Sequence, residues 1–265
     1  MSLSHSPWSL VESVLQAYQQ RQISPVAALQ AAQITPGASV SAQQFERLSA
    51  AAMRELDDEA LGWFERPLPW GSYGMLARAS LSAPHLGLAL QRWCRHHNLL
   101  TTSVRWSLHM HEGLAHVRLD ALAPLGAHNQ LQAFALLSLL RNLHGVASWF
   151  VDSRLSLRRC VWPMPTDPGP LIDTAWLARL FDCPLHTHAE GVWAELVLDA
   201  DYLQLPLRRD DAALRQMLQR PLPLMVLPYR RDRLLQPRVL QALPQLTHLL
   251  ADGASAPSSQ ACTAA

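Results

Sequence analysis

The chain has 265 residues, a length that suits one or two domains with a sizeable hydrophobic core. Hydrophobic residues make up 49% of the chain and charged residues 16%, so its composition excludes general disorder. The formal net charge is +1, from 22 Lys+Arg against 21 Asp+Glu, and the chain therefore lacks the positive excess that is usual in a nucleic-acid-binding domain.

Cysteine spacing and hydropathy bear on the cellular compartment. The four cysteines, Cys94, Cys160, Cys183 and Cys262, form no Cys-x-x-Cys pair, so we expect reduced thiols and not a disulfide framework. The N-terminus has no secretory pattern, and the most apolar run, residues 131–140, is about half the ~20 residues that a membrane span needs. We therefore predict a soluble, cytoplasmic protein without a membrane partner.

Residues 1–100 are predicted to be helical, because their apolar residues recur at the 3.6-residue helical period. Ser41 is the expected N-cap of a long amphipathic helix, and the acidic residues 55 and 57–59 are expected near its exposed end. The other helices of this segment are predicted over residues 10–18, from Ser24-Pro25 onward, and over residues 72–80 and 84–97.

At Thr101 the period of the apolar residues changes from 3.6 to 2. Apolar and polar residues alternate over residues 104–110 and again over residues 114–119, with a turn between them. This pattern predicts a β-hairpin whose buried face includes Ala115, Val117 and Leu119.

The remaining pattern alternates helices and strands. We predict a helix over residues 129–145, a strand over 155–162, a helix capped by Asp173 or Thr174, strands over 184–188 and 192–198, and a helix capped by Asp210. The strands over 184–188 and 192–198 are expected to form a second hairpin-like unit. The order β-β-α-β-α-β-β predicts an α+β fold in which helices cover one face of a mixed or antiparallel sheet, with the helical N-terminal segment covering some of the rest.

Three segments carry patterns of a known family. Residues 74–90 combine a small-residue helix with a Ser-x-x-His-Leu step, where the family usually has Ser-x-x-Thr-Leu. Residues 180–185, Leu-Phe-Asp-Cys-Pro-Leu, are similar to the family's Leu-Phe-x-Cys-Pro-Val, and residues 203–207 to its Leu-x-x-Pro-Leu. Arg95-His96-His97-Asn98 stands where the family usually has tyrosines. On these motifs the chain resembles the N-terminal, "arabinose-binding" type effector domain of AraC/XylS-type transcriptional regulators.

The resemblance covers residues 9–220 and implies a function. It implies an effector-sensing and dimerisation domain that controls gene expression in response to a small molecule, as a homodimer. Residues 1–100 would be the helical N-terminal segment, residues 101–220 the α+β effector-binding portion of the same domain, and residues 221–265 a linker, with one more helix over 239–250. No pattern of the family's helix-turn-helix units occurs, so we expect DNA to be bound through a C-terminal domain missing from this chain.

Motifs of catalysis and metal binding are weak. The sequence has no Gly-x-Ser-x-Gly elbow, phosphate-binding Gly-rich loop or His-Glu-x-x-His, and we therefore predict that the protein is not an enzyme. His109 and His111, like His186 and His188, are two residues apart on predicted strands, but zinc needs three or four converging ligands. We interpret these histidines as the polar side of a half-buried sheet and predict no metal or cofactor.

The polar face of the predicted hairpin is the candidate effector site. Arg105, His109, His116 and Arg118 would lie side by side there, and Trp106 is one of several tryptophans that could form a pocket wall or fill the core. If helices cover this face, the buried cations need an anionic partner such as an effector carboxylate. If the face is open to water, they form a solvated surface or a subunit contact. Our hypothesis is that these five residues bind the effector.

A second interpretation stays open. The chain could be a free-standing small-molecule or metal- or haem-binding protein with no DNA-binding role, in which His109 or His116 ligates iron. The identity of the effector is also open, since sugars, amino acids and fatty acids are all compatible with the sequence.

Overall fold

The structure, a computed structural model, describes residues 5–6, 8–126, 129–164, 173–227 and 229. The helices in these ranges are α1 (Trp8–Gln20), α2 (Val26–Ala31), α3 (Ala42–Glu55), α4 (Ser72–Leu81), α5 (Leu86–Leu100), α6 (Asn129–Phe150), α7 (Thr174–Phe181), α8 (Asp211–Gln219) and α9 (Pro223–Val226), with a 3-10 helix over Ala200–Gln204. The strands are β1 (His5–Ser6), β2 (Val40–Ser41), β3 (Val104–His111), β4 (Leu114–Ala121), β5 (Leu157–Pro163), β6 (Leu185–His188) and β7 (Trp193–Asp199).

Polar side chains determine where several helices begin. The Ser41 hydroxyl accepts a hydrogen bond from the Gln44 amide, and the Gln44 side chain accepts one from the Ser41 amide, so α3 starts with a full capping box. At α7 and α8 the cap is a single bond: the Asp173 carboxylate accepts from the Ala175 amide, and the Asp210 carboxylate accepts from the Ala213 amide. The predicted caps at Ser41, Asp173 and Asp210 are thus confirmed.

Strands β3 to β7 form one sheet in the order β3-β4-β7-β5-β6, and the α+β class is confirmed. The predicted hairpin is also confirmed, since β3 and β4 pair antiparallel around Glu112 and Gly113, which both have positive φ. Two such residues in a two-residue loop match the right-handed twist of the flanking strands.

The predicted hairpin-like unit over residues 184–188 and 192–198 is wrong. Strand β6 pairs parallel with β5, while β7 lies between β4 and β5 and is antiparallel to both. The physical reason is burial: β7 places Ala194, Leu196 and Leu198 in the core and needs a neighbour on each side, whereas the four residues of β6 are half-exposed or exposed and suit an edge. Helix α7 connects β5 to its parallel partner.

One face of the sheet carries the core. Its side chains include Trp106 of β3, Val117 of β4, Leu196 of β7 and Cys160 of β5, and α5 and α6 contact this side of the fold. Helix α6 is buried along nearly all of its length, in agreement with its nearly uniform apolar sequence.

The acidic residues that follow α3 are partly buried, and the prediction that they lie at an exposed end is wrong for Asp58 and Glu59. The Asp58 carboxylate accepts hydrogen bonds from the amides of Ala60, Gly62 and Leu68 and pairs with Arg21 at 2.7 Å. A carboxylate can be buried when it satisfies several backbone donors, and here it organises the loop over residues 57–71.

The chain continues into the helical body beyond α8. Residues 221–227, which the sequence analysis assigns to a linker, pack against α6, with Leu222 and Met225 buried. The predicted helix over residues 239–250, and the linker from residue 230 onward, lie outside the residues that the structure describes.

Candidate functional site

The structure separates the five predicted site residues onto the two faces of the sheet. Arg105 and His109 are exposed on the outer face, and His116 and Arg118 are half-buried beside them. The side chain of Trp106 points to the opposite face and is buried in the core. The hairpin therefore brings four of the five residues together.

Two of the basic side chains on this outer face have acidic partners. His116 Nδ1 lies 3.0 Å from Glu195 Oε1, and the Arg118 guanidinium pairs with Asp120 at 2.8 Å and lies 4.0 Å from the centre of the Trp193 ring. Arg105 and His109 are exposed, whereas the Nε2 atom of His116 is buried and has no hydrogen-bond partner among the described residues. The binding role of Arg105, Trp106, His109, His116 and Arg118 stays a prediction.

A partly open cavity of about 340 Å³ lies elsewhere, among the helices. Its walls come from the loop over residues 57–71, from the inner sides of α4, α5 and α6, and from residues 217–225 at the end of α8 and in α9. Most side chains that line the cavity are apolar, and a few polar side chains lie among them. This combination is typical of small-molecule binding sites.

Glu59 supplies the carboxylate of the cavity. Its two oxygens accept hydrogen bonds from the amides of Gly71 and Tyr73, at 2.8 and 2.7 Å, and so cap the start of α4. Burial raises the pKa of Glu59, and the nearby carboxylates of Asp57 and Asp58 add to that rise, while the two amide bonds oppose it.

Four aromatic side chains line the cavity, namely Trp63, Trp70, Tyr73 and Trp93. The Tyr73 ring stacks on Trp93 with 6.1 Å between ring centres, and its hydroxyl lies 3.3 Å from His97 Nε2. Trp63 packs edge-on against Phe134 at 5.4 Å, and its buried indole N–H has no hydrogen-bond partner among the described residues. The buried indole N–H of Trp106, which does not line the cavity, is unpaired in the same way.

Helix α6 adds two further polar groups to the cavity. Ser138 and Asn142 are four residues apart, so they lie on the same side of the helix, and both line the cavity. Within the described part of the chain no side-chain hydrogen bond is formed by either residue. Their hydroxyl and amide groups are therefore available to a bound molecule.

Three arginines hold the C-terminal wall of the cavity in place. Arg220 pairs with Glu46 of α3 through two hydrogen bonds of 3.1 and 2.5 Å. Buried Arg141 of α6 donates to the carbonyls of Met225 and Leu227, both at 3.1 Å.

The third anchor lies just outside the cavity, where Arg209 and Tyr229 both bond to the buried carboxylate of Asp152. Together these contacts join residues 209–229 to the body of the fold.

The described residues contain neither a metal-ligand cluster nor a membrane-spanning helix. No three His, Cys, Asp or Glu side chains of this part of the chain converge in a way that could hold a metal ion. None of its helices is both long and apolar enough to cross a bilayer. Cys94, Cys160 and Cys183 are free thiols, and burial raises the pKa of each, to about 12 for Cys94 and about 11 for Cys183.

Sequence reasoning missed Glu59, Trp63 and Trp70 as site residues. Their only local sign is a pair of tryptophans in a loop that follows an acidic run and contains Pro67 and Pro69. An amphipathic pattern assigns faces within a helix or strand, but a loop has no period, so nothing in the sequence directs these side chains inward.

Comparisons with known proteins show what this chain is similar to. A sequence model of the N-terminal arabinose-binding domain of AraC transcription regulators matches residues 22–207. The chain is 26% identical over 178 residues to the ornithine utilization regulator of Pseudomonas aeruginosa, covering 66% of this chain and 49% of that protein. The crystal structure of the transcriptional regulator CdpR from Pseudomonas aeruginosa is similar with a TM-score of 0.42 and 18% identity, over 93% of this chain and 71% of that one. The chain thus spans about half the length of the curated relative that it matches.

Proposed function

The chain belongs to the AraC-type transcriptional regulators, in the group with an arabinose-binding-type N-terminal domain, and from this premise we propose that its helical cavity binds the small-molecule effector. The occupied cavity would change gene expression through a C-terminal DNA-binding domain outside residues 1–265. We further propose that the regulator acts as a homodimer in the cytoplasm and performs no chemistry on the effector.

The cavity is the observation that carries this proposal. Its volume of about 340 Å³ falls within the range of small-molecule sites, ~300–1,000 Å³. Polar groups of Ser138 and Asn142 stand in a mostly apolar lining, which suits a ligand with an apolar body and polar substituents. On the outer face of the sheet, by contrast, the half-buried His116 and Arg118 already contact Glu195 and Asp120.

The position of the C-terminal wall supports a signalling route. Residues from the range 217–225 line the cavity, and they lie on the C-terminal side of residues 22–207, which match the family's effector domain. An effector that fits one arrangement of this wall better than another would shift the population between them, and the chain that follows would shift with it. The effect on DNA binding can be no larger than the difference between the two affinities.

The experiment that tests the cavity is a substitution that fills it. The readout is a reporter gene fused to a promoter that the intact regulator controls. We expect Asn142→Trp to abolish the response of this reporter to the nutrient or metabolite that normally induces it. The indole would occupy the space of the effector, while the half-buried position tolerates a change of side chain.

Gln132→Trp is the matched control, because Gln132 is also half-buried on α6 but does not line the cavity. It should respond as the unmodified regulator does. A full response of the Asn142→Trp regulator, present at normal abundance, would contradict the cavity as the effector site.

A further inference from the structure

The two charged residues that line the cavity differ in their burial. Glu59 is the only acidic residue among the described residues that line it, and it is buried, with 6% of its surface exposed. Arg78 is the only basic one, and it is exposed. Arg141 is buried nearby, but its guanidinium is bound to the carbonyls of Met225 and Leu227 and it is not part of the lining. Of the two charged side chains in the described lining, the carboxylate is therefore the one held inside.

The carboxylate of Glu59 has capacity for another partner. Each of its oxygens accepts one amide hydrogen bond, and each carboxylate oxygen can accept two. A buried carboxylate that receives only neutral donors is incompletely compensated, because a charge taken out of water is stabilised most by an opposite charge. A cation in the cavity would provide that charge.

The aromatic walls favour the same kind of ligand. Trp63, Trp70, Tyr73 and Trp93 present ring faces or edges to the cavity, and ring faces attract cations through their quadrupole. Trp70 already has the Arg54 guanidinium over its ring, 5.0 Å from the centre. An aromatic enclosure with one carboxylate is a chemical match for an organic ammonium group.

From this arrangement we propose that the cavity is specific for organic cations, namely amines carried on an apolar body. The ammonium group lies against Glu59 and the aromatic rings, and an acceptor atom elsewhere on the molecule takes the side-chain amide of Asn142. This inference rests on the proposed function, since it assigns a ligand class to the same cavity. An anionic ligand is disfavoured because it would face the charge of Glu59.

Three probes of the same shape and different charge test the proposal. We choose 2-phenylethylamine, 2-phenylethanol and 3-phenylpropanoate, and measure their binding to the full chain by isothermal titration calorimetry at pH 7. The amine is expected to bind at least roughly tenfold more tightly than the alcohol, the usual value of a hydrogen bond to a charged group. The acid is expected to bind more weakly than the alcohol.

Two substitutions test whether Glu59 causes the preference for the amine over the alcohol. In Glu59→Gln the amine should lose its advantage and bind within about twofold of the alcohol, while retained binding of the alcohol reports an intact cavity. Glu55→Gln is the matched control, since Glu55 is exposed at the end of α3 and does not line the cavity; it should keep the preference.

The possible results distinguish the ligand class of the cavity from its sensing role. Equal or tighter binding of the alcohol or the acid, or no measurable binding of any probe, overturns the cation assignment. It leaves the sensing role of the cavity standing if the Asn142→Trp regulator has lost its response. A retained amine preference in Glu59→Gln also overturns the assignment, because another group must then provide it.

Discussion

At the scale of single residues, the interior holds ionisable groups that must stay neutral. His97 is fully buried between Phe64, Tyr73 and Trp106, and His144 of α6 is buried with its Nε2 2.8 Å from the Leu155 carbonyl. Burial lowers the pKa of His97 to about 4 and that of His144 to about 3, the latter with help from the charge of Arg141. Neither histidine has a carboxylate partner in the described part of the fold.

These lowered pKa values predict acid lability. An unfolded histidine takes up a proton below about pH 6.5, whereas these two resist protonation until about pH 4 and 3 in the folded state. The free energy of unfolding should therefore fall as the pH drops from 6.5 towards 4, by up to about 2.7 kcal/mol per pH unit when both contribute. Glu59, whose pKa is raised, acts with the opposite sign and offsets part of this slope.

Urea unfolding at several pH values measures this slope. His144→Gln keeps a side-chain N–H for the Leu155 carbonyl and removes one titrating group. It should lower the stability at pH 7 and flatten the slope between pH 6.5 and 4. An unchanged slope would show that His144 does not control the acid response.

At the scale of elements, features fixed by neighbouring residues are predictable from the sequence and those fixed by distant contacts are not. The caps at Ser41, Asp173 and Asp210 and the β3–β4 turn depend on residues within a few positions, and the sequence predicts all of them. The position of β6 in the sheet depends on which strands pair with β7. No local sequence pattern specifies those pairings. The burial of Glu59 likewise depends on amides 12 and 14 positions away.

The contact between α6 and α9 yields an element-level prediction. A methyl group added at Gly145 would lie 2.0 Å from the Leu224 carbonyl oxygen, which is backbone and cannot rotate away. Gly145→Ala should therefore displace α9 and lower the free energy of unfolding by about 1–3 kcal/mol, although alanine favours a helix over glycine by ~1 kcal/mol. Because α9 forms a wall of the cavity, the reporter response should also weaken.

Gly74→Ala is a suitable comparison for this change. The added methyl group there would lie 3.0 Å from a terminal carbon of Leu218, a flexible side chain that can move. Urea unfolding should show a much smaller loss for Gly74→Ala than for Gly145→Ala. Equal losses would mean that the backbone contact between α6 and α9 has no special weight.

At the scale of the whole molecule, β3 is an edge strand of the sheet, and part of its outward side is already occupied. The Asn98 side chain bonds to both the amide and the carbonyl of Trp106, at 2.8 and 2.9 Å, on the side of β3 that faces away from β4. Alternate residues of a strand share this direction, so the backbone groups of Leu108 and Met110 face the same open side. The Met110 side chain is 69% exposed there, and Leu99, next to Asn98, is 77% exposed.

An open edge flanked by apolar side chains suits a second copy of the same strand, and this surface is where we expect the proposed homodimer to form. Two β3 strands paired antiparallel about His109 would place Leu108 of each copy opposite Met110 of the other, which makes the contact self-complementary.

Sedimentation velocity should find a dimer for the unmodified chain and a shift towards monomer for Met110→Asp, since the carboxylate would be buried without a partner. Val26→Asp, at an apolar position of α2 with 54% exposure, should leave the dimer intact, and a Met110→Asp protein that is still dimeric would place the subunit contact on another surface.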